Sequence, residues 1–549
     1  MRAPLPQLFV AALVFAAASP AQAPPIPPAE NPTTPEKVTL GKILFWDEQL
    51  SSDDSVACGT CHQPAFGGAD PRSAASIHPG ADRVFGTADD VRGSFGIVRQ
   101  KTNGDFARDA LFGLGRQVTP RVANTVLGAA WHQRVFWDMR ATGELVDPES
   151  GAIVAPFGAA LETQALAPIL STAEMGHEGR TWTEVRHKLE QVAPLALASA
   201  LPADVQAALQ QNPGYPGLFA AAFGDPAITA VRIAFALAAY ERTLLPDDTP
   251  WDRFMAGQTN AMTPAEQDGW ALFQTSGRCI ACHWAGTFSD DEGHVLGLRP
   301  SVEDPGIALD AGVVGDPGAF KTPTLRNAGL RPRLFHNGQS PPLGDPAQLT
   351  DPASTLNVYL DGGGMDPHFL DGFLLPLGQL GVTASDLLSI QEFVRTGLTD
   401  QRAALRLPPF DHPDLRSTVL PPPRVFGQGR AGAVEPFFVD TVPSFPGNDD
   451  WKLGVAASDG PTLALVAIGR SSFEPPVHVL GIPWNVQPLV GQLLVLQGQL
   501  TGPAVGTWRL PLPDAPWLAQ VPFYFQAIAF DPHAPWGLAA SKGAEIFVR

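Results

Sequence analysis

The sequence predicts a mostly α-helical region followed by an all-β, sandwich-like C-terminal domain, on three observations. Residues 36 to 400 carry capped amphipathic helices between long loops. A Pro-rich stretch, LPPFDHPDLRSTVLPPPRVFG, then forbids a continuous helix. Beyond it, short apolar runs alternate with Gly, Pro and Asp turns. At 549 residues the chain is too long for one core, so several domains are expected.

The chain opens with Arg2, the apolar run LFVAALVFAAA from Leu8 to Ala18, and the small residues of SPAQA ahead of PPIPP. This is the shape of a secretory signal peptide, spanning 1–23 if cut after Ala23, with Ala21 and Ala18 as alternative sites because Pro24 would follow the bond. An exported protein, periplasmic or extracellular, is expected. The run is too short to cross a bilayer, and no later run of about 20 apolar residues follows, so no transmembrane segment is expected. Acidic residues outnumber basic ones by 55 to 36 with no basic tract, which argues against nucleic acid as a partner.

Further along, DPAITAVRIAFALAAYERTL predicts a helix from Asp225 and Pro226 with Ile228, Val231, Phe235 and Ala238 on one face. In TPAEQDGWALF, Thr263, Pro264 and Glu266 form a capping box whose helix leads into Cys279. The same logic in TASDLLSIQEFVRTG places caps at Thr383 and Asp386, a stripe of Leu387, Ile390 and Val394, and a stop at Gly397. After the linker, TLALVAIG, QLLVLQGQL and FYFQAIAF read as strands, with no reactive constellation among them. The insertion from His78 to Gly93 clusters Asp82, Asp89 and Asp90, a solvated acidic loop in preference to a calcium site.

All four cysteines fall in two copies of one pattern, CGTCH at 58–62 and CIACH at 279–283. Export and an even count would suggest disulfides, and paired cysteines can also bind zinc. Neither requires a His after both second cysteines. Two residues between thiols and a His next in line is the c-type haem pattern, in which each thiol adds to a vinyl group and the His supplies a ring nitrogen to the iron. Cys58, Cys61 and His62 are thus assigned to one covalent haem, and Cys279, Cys282 and His283 to a second.

The flanks of these motifs, LGKILFWDEQLSSDDSVACGTCHQP, FWDMR, LETQALAPILSTAEMG, ALFQTSGRCIACH and FKTPTLRNAGLRPRLFHNG, resemble the bacterial dihaem cytochrome c peroxidase and MauG family over about residues 36 to 400. The resemblance implies two cytochrome c-like domains, at 24–245 and 246–402. Peroxide chemistry would lie at the N-terminal haem and electron transfer at the C-terminal one. A linker at 403–425 and a β module at 426–549 lie outside it. The resemblance places the peroxide pocket at Gln164, Pro168 and Glu174. Cleaving a peroxide O–O bond needs a base that takes a proton from the inner oxygen and returns it to the departing one, which a carboxylate beside an open haem face can do. Glu174 is assigned that role, Gln164 orients peroxide, and Pro168 shapes a dry pocket. Trp137 matches a tryptophan between the haems that can relay an electron, and His336 matches a histidine near the second haem.

Two departures from the family pattern bear on function. Many family peroxidases close the N-terminal haem with a distal His, whose position here holds Leu114, and the one His between Gln63 and Trp131 is His78. An open sixth site that needs no prior reduction is therefore expected. At the distal position of the C-terminal haem, where peroxidases have Met and MauG has Tyr, the resemblance places Tyr359, with Met365 as the competing ligand. The family's interdomain calcium is disfavoured. Its Asn position falls on Val122, with Asn124 close by, and its backbone-carbonyl positions carry Arg331 and Arg333, whose guanidinium groups repel a dication.

Three functions compete. The first is a secreted dihaem peroxidase reducing hydrogen peroxide with electrons from a small cytochrome or cupredoxin. The second is a MauG-like oxidase acting on a protein or small aromatic substrate, which Tyr359 favours. The third is a non-catalytic dihaem electron carrier, against which the Gln164 to Glu174 string argues.

Overall fold

A computed structural model describes residues 22–307, 316–364, 366, 370–372, 374–419, 424–479, 481–497 and 503–548. Most of the expected leader, and Met365, lie outside the described residues. Among the described residues no helix is long and apolar enough to cross a membrane.

Thr34 accepts the Lys37 N–H, and Pro35, which has no N–H to leave unpaired, opens helix α1 (Pro35–Phe45). Helix α2 (Ala160–Leu170) and helix α3 (Ala230–Glu241) follow. α1 and α3 pack so closely that a Cβ on Gly41 would stand 1.9 Å from the Ala236 carbonyl oxygen, so glycine alone permits the contact. The first core, from Leu40 and Ile43 to Ile233 and Leu237, forms around that contact. α3 starts at Ala230, later than the Asp225 expected. Thr229 accepts the Arg232 N–H as the cap, and Asp225 is drawn instead onto the Arg232 guanidinium. Ile228 therefore precedes the helix.

The second core gathers around helix α4 (Pro264–Gln274), helix α5 (Thr355–Asp361) and helix α6 (Ala384–Glu392). The capping boxes at Thr263 and Glu266, and at Thr383 and Asp386, form as expected. α6 runs on into a π-helical turn ending at Gly397. Gly269 lets α4 meet α6, where an added Cβ would lie 2.1 Å from the Ser389 carbonyl oxygen. Trp251, Trp270, Phe273, Phe288 and Phe393 fill the space between them.

The described part of the Pro-rich segment is no free tether. Ala403, Phe410 and Leu415 are buried in the first core, His412 stacks on Trp46 at 3.7 Å, and Glu48 accepts the Arg416 and Ser417 N–H groups.

The C-terminal region is β-rich. Antiparallel strands Phe437–Val439, Lys452–Asp459 and Pro503–Arg509 form one sheet. A second sheet runs Val490–Leu496, Thr462–Gly469, Pro522–Phe530, Gly543–Phe547 and Arg424–Phe426, with Leu538–Ala540 beside Pro522–Phe530. Leu453, Val455, Ala504, Val466, Phe525 and Ile546 make their shared core.

Strands β1 (Phe95–Val98) and β2 (Arg116–Val118) form a hairpin in the first region, and its tip reaches into that β core. Phe106 is 1 % exposed there, and Leu114 packs against the same cluster. Thr507 Oγ1 accepts the Phe106 N–H at 2.9 Å, Lys452 Nζ donates to the Gly104 carbonyl, and Arg509 donates to the Asn103 carbonyl.

Candidate functional site

Cys58 to Cys61 form one helical turn, stapled where Thr60 Oγ1 accepts the Ala57 N–H at 2.8 Å. The Trp46 ring packs against Gly59, where a Cβ would stand 2.4 Å from it. The thiols are free. His62 closes the turn, with its N–H on the Cys58 carbonyl and its Nδ1 3.2 Å from the Gly68 carbonyl oxygen. Donation from Nδ1 leaves the Nε2 lone pair available to a metal, and burial, by lowering the pKa of His62, keeps the ring neutral. The second motif repeats the device. His283 Nδ1 lies 2.8 Å from the Phe288 carbonyl oxygen, and burial lowers its pKa in the same way. Both sets suit a c-type haem: two unpaired thiols and an imidazole oriented by its far nitrogen.

A cavity of about 910 Å³ opens beside the first motif. Cys58, Cys61 and His62 share its wall with Gln164, Pro168 and Glu174. Gln164 and Pro168 stand four residues apart on α2, so they project from one helix face. The turn after α2, with the Glu174 N–H on the Ser171 carbonyl, brings Glu174 round beside them, and the Ile97 N–H of β1 holds the Glu174 carbonyl at 3.0 Å. Burial raises the Glu174 pKa, against the opposing pull of a Ser171 hydrogen bond and the Arg140 charge. Arg140, absent from the sequence candidates although it ends the FWDMR string, also lines the cavity, tied to Asp138 at 2.7 Å. Glu241 and His78 line it too. Asp82, Asp89 and Asp90 lie nearby in a loop where Asp89 accepts the Asp82 N–H and Asp90 the Gly86 N–H, so these acids serve turn formation.

A second cavity is lined by Cys279, Cys282, His283, Tyr359, His336 and Trp137. Tyr359, on α5, is half-buried against the second core, as Cys279 and Ile280 are. Burial first, and then the neighbouring Cys279 and Cys282 sulfurs, push its phenol pKa well up. His294, missed by sequence reasoning, is held between Asp290 at 2.7 Å and Asp371 at 2.5 Å. It came from no recognisable motif, and its partners are brought together only by the fold.

Trp137 and His336 line both cavities. Trp137 is 6 % exposed, and its indole N–H donates to the Val122 carbonyl at 2.8 Å. His336 stacks on Phe320 at 3.5 Å and meets Trp137 edge-on at 6.3 Å. Burial pushes its pKa down to about 3, so the ring is neutral. Lys321 also lines both cavities, paired with Asp291 at 2.6 Å, and His132 Nδ1 lies 3.0 Å from the same carboxylate.

A family profile described as di-haem cytochrome c peroxidase matches residues 35–260. The methylamine utilization protein MauG of Methylophilus methylotrophus is 31% identical over 313 residues, covering 57% of this chain and 71% of that protein. MauG of Methylorubrum extorquens is 30% identical over 388 residues, 69% of this chain and 83% of its own length. Cytochrome-c peroxidase IdrP1 of Denitromonas iodatirespirans is 28% identical over 405 residues, 67% of this chain and 84% of that one.

Proposed function

Because the chain belongs to the di-haem cytochrome c peroxidase and MauG family and is an oxidoreductase with haem cofactors, we propose that it reduces hydrogen peroxide in the His62 cavity, with electrons arriving from the His283 side through Trp137. Cys58 with Cys61, and Cys279 with Cys282, would hold the two haems through thioether bonds, while His62 and His283 would ligate the irons. Bound haem iron supplies the electrons that cleave the O–O bond. Glu174, as carboxylate, accepts the proton of the inner peroxide oxygen and delivers it to the departing one. Gln164 offers its amide to orient peroxide, and Pro168 keeps the adjoining wall free of a backbone donor. The observation carrying this reading is that Gln164, Pro168 and Glu174 share one cavity with Cys58, Cys61 and His62, while Trp137 joins that cavity to the one around Cys279, Cys282 and His283.

In the layout proposed, a leader at 1–23 directs export to the periplasm or beyond. Two cytochrome c-like domains, at 24–245 and 246–402, precede a sandwich-like β module, and a small redox protein donates electrons. A second reading, MauG-like oxidation of a protein or small aromatic substrate, is favoured by Tyr359 in the second cavity, because a hard oxygen ligand would stabilise oxidised iron there.

The test is Glu174→Gln, which keeps shape and removes the titrating oxygen. Stopped-flow peroxide cleavage should slow by roughly 10²-fold or more, with both haems still loaded. An unchanged rate would remove Glu174 from the mechanism.

A further inference from the structure

Residues 122 and 123 form a clasp between the two cavities. The Val122 N–H donates to the His336 carbonyl oxygen at 2.8 Å, and the Val122 carbonyl accepts the Trp137 indole N–H at 2.8 Å. The next carbonyl, that of Ala123, accepts Arg331 Nη2 at 2.8 Å. One short backbone segment of the first region thus holds the Trp137 side chain and two points of the second region, residues 331 and 336.

Arg331 is 5 % exposed, and its guanidinium lies 5.9 Å from the Trp137 ring centre. Its Nε has no hydrogen-bond partner, and no carboxylate pairs with it among the described residues. Its stem crosses Gly67, where a Cβ would stand 2.8 Å from Arg331 Cγ, so the loop after the first haem motif is shaped to let it through. A guanidinium keeps its charge even when buried. Placing one in this gap without a counter-charge is expensive, and the chain nevertheless keeps it there.

A calcium ion, which the family resemblance implies at this interface, does not fit these residues. The Ala123 carbonyl is occupied by Arg331, and Asn124 Oδ1 is turned onto the Thr125 N–H. A dication would also face the guanidinium in a medium that screens poorly.

We propose that Arg331 is the resident cation of this gap, replacing the calcium ion, and that it is a positioning residue which locks the two haem regions together around Trp137. The proposal rests on the reading of Trp137 as the electron relay. In place of an exchangeable ion, the clasp is covalently part of the chain, so it is indifferent to chelators.

The experiment uses the holoprotein without peroxide, so its outcome is independent of the Glu174 test. After dialysis against EGTA, metal analysis should find only substoichiometric calcium. The haem spectra and the rate of electron equilibration between the haems in the half-reduced protein should not respond to EGTA or to added calcium. Arg331→Met, which keeps the stem and removes the donors, should slow that equilibration by roughly tenfold or more, within the scale that an ångström of misplacement costs. Arg331→Lys should recover part of the rate. Stoichiometric calcium whose removal shifts either haem spectrum would overturn the proposal, as would an Arg331→Met protein carrying both haems with an unaltered equilibration rate. Should that variant fail to load both haems, the calcium assay on the wild type decides alone. A Trp137→Phe protein with unchanged equilibration would remove the relay reading, leaving the calcium result to judge Arg331 as the resident cation.

Discussion

Glu174 owes its proposed chemistry to where the turn after α2 leaves it. Burial lifts its pKa above the usual carboxylate range, and acceptance of the peroxide proton requires the ionised form. The rate of peroxide cleavage should therefore fall as pH drops through that raised value, and the Glu174→Gln profile should lack this acid limb. Glu241 makes a separate statement about stability. Burial, reinforced by Glu162, pushes its pKa up to about 8. Unfolded chains release that proton at about 4.3. The folded state thus holds a proton that the unfolded state gives up, so stability is greatest below the unfolded value and declines as pH rises towards 8. Thermal melts should show wild type losing more Tm than Glu241→Gln between acid and neutral pH; parallel curves would contradict the assignment. Tyr359 is tested by Tyr359→Phe. If its oxygen binds iron, the spectrum of the His283-side haem shifts, and an unaltered spectrum returns the vote to a peroxidase fed by an external donor.

At the scale of elements, the β1–β2 hairpin links the His62 cavity to the β-rich region. Ser94, Phe95 and Gly96 line the cavity, β1 holds the Glu174 carbonyl, and the tip carries Phe106 into the other core. Phe106→Ala should cost about 3 to 5 kcal/mol, the range for truncating a buried Phe. Urea unfolding measures the loss, and a change below about 1 kcal/mol would mean that the insertion is not what holds the tip. Nothing around Phe106 marks it in the sequence, because its partners, Val439 and Thr507 among them, lie hundreds of residues away. The capping boxes at Thr263 and Thr383 were legible because each is decided within four residues. The start of α3 was misplaced for a related reason. Asp225 with Pro226 and Thr229 offer two competing starts, and the Asp225 contact with Arg232 that settles the choice is a property of the folded chain.

At the scale of the whole molecule, the two CxxCH motifs stand out in the sequence because their residues are consecutive, whereas Gln164, Pro168 and Glu174 are marked only by the family resemblance and come to share a cavity with the first motif because one helix and one turn carry them. The clasp of Val122 and Ala123 on Trp137, His336 and Arg331 could not be read, nor could the burial of Phe410 and Leu415 in the first core. Apart from the Val122–Trp137 bond, which spans 15 residues, the clasp joins segments more than 200 residues apart and leaves no local pattern. The assembly does explain one sequence departure. Leu114, at the position to which the resemblance assigns the distal His of many family peroxidases, packs against the β core and so has a structural occupation of its own.

The central claim is that the His62 cavity meets peroxide with an open iron site, and electron paramagnetic resonance of the fully oxidised holoprotein tests it most directly. A high-spin signal should be present before any reduction and should change on adding hydrogen peroxide. Besides His62, the histidines lining this cavity among the described residues are His78, His132 and His336. A spectrum of low-spin, doubly ligated haems alone, inert to peroxide until the protein is reduced, would contradict the account.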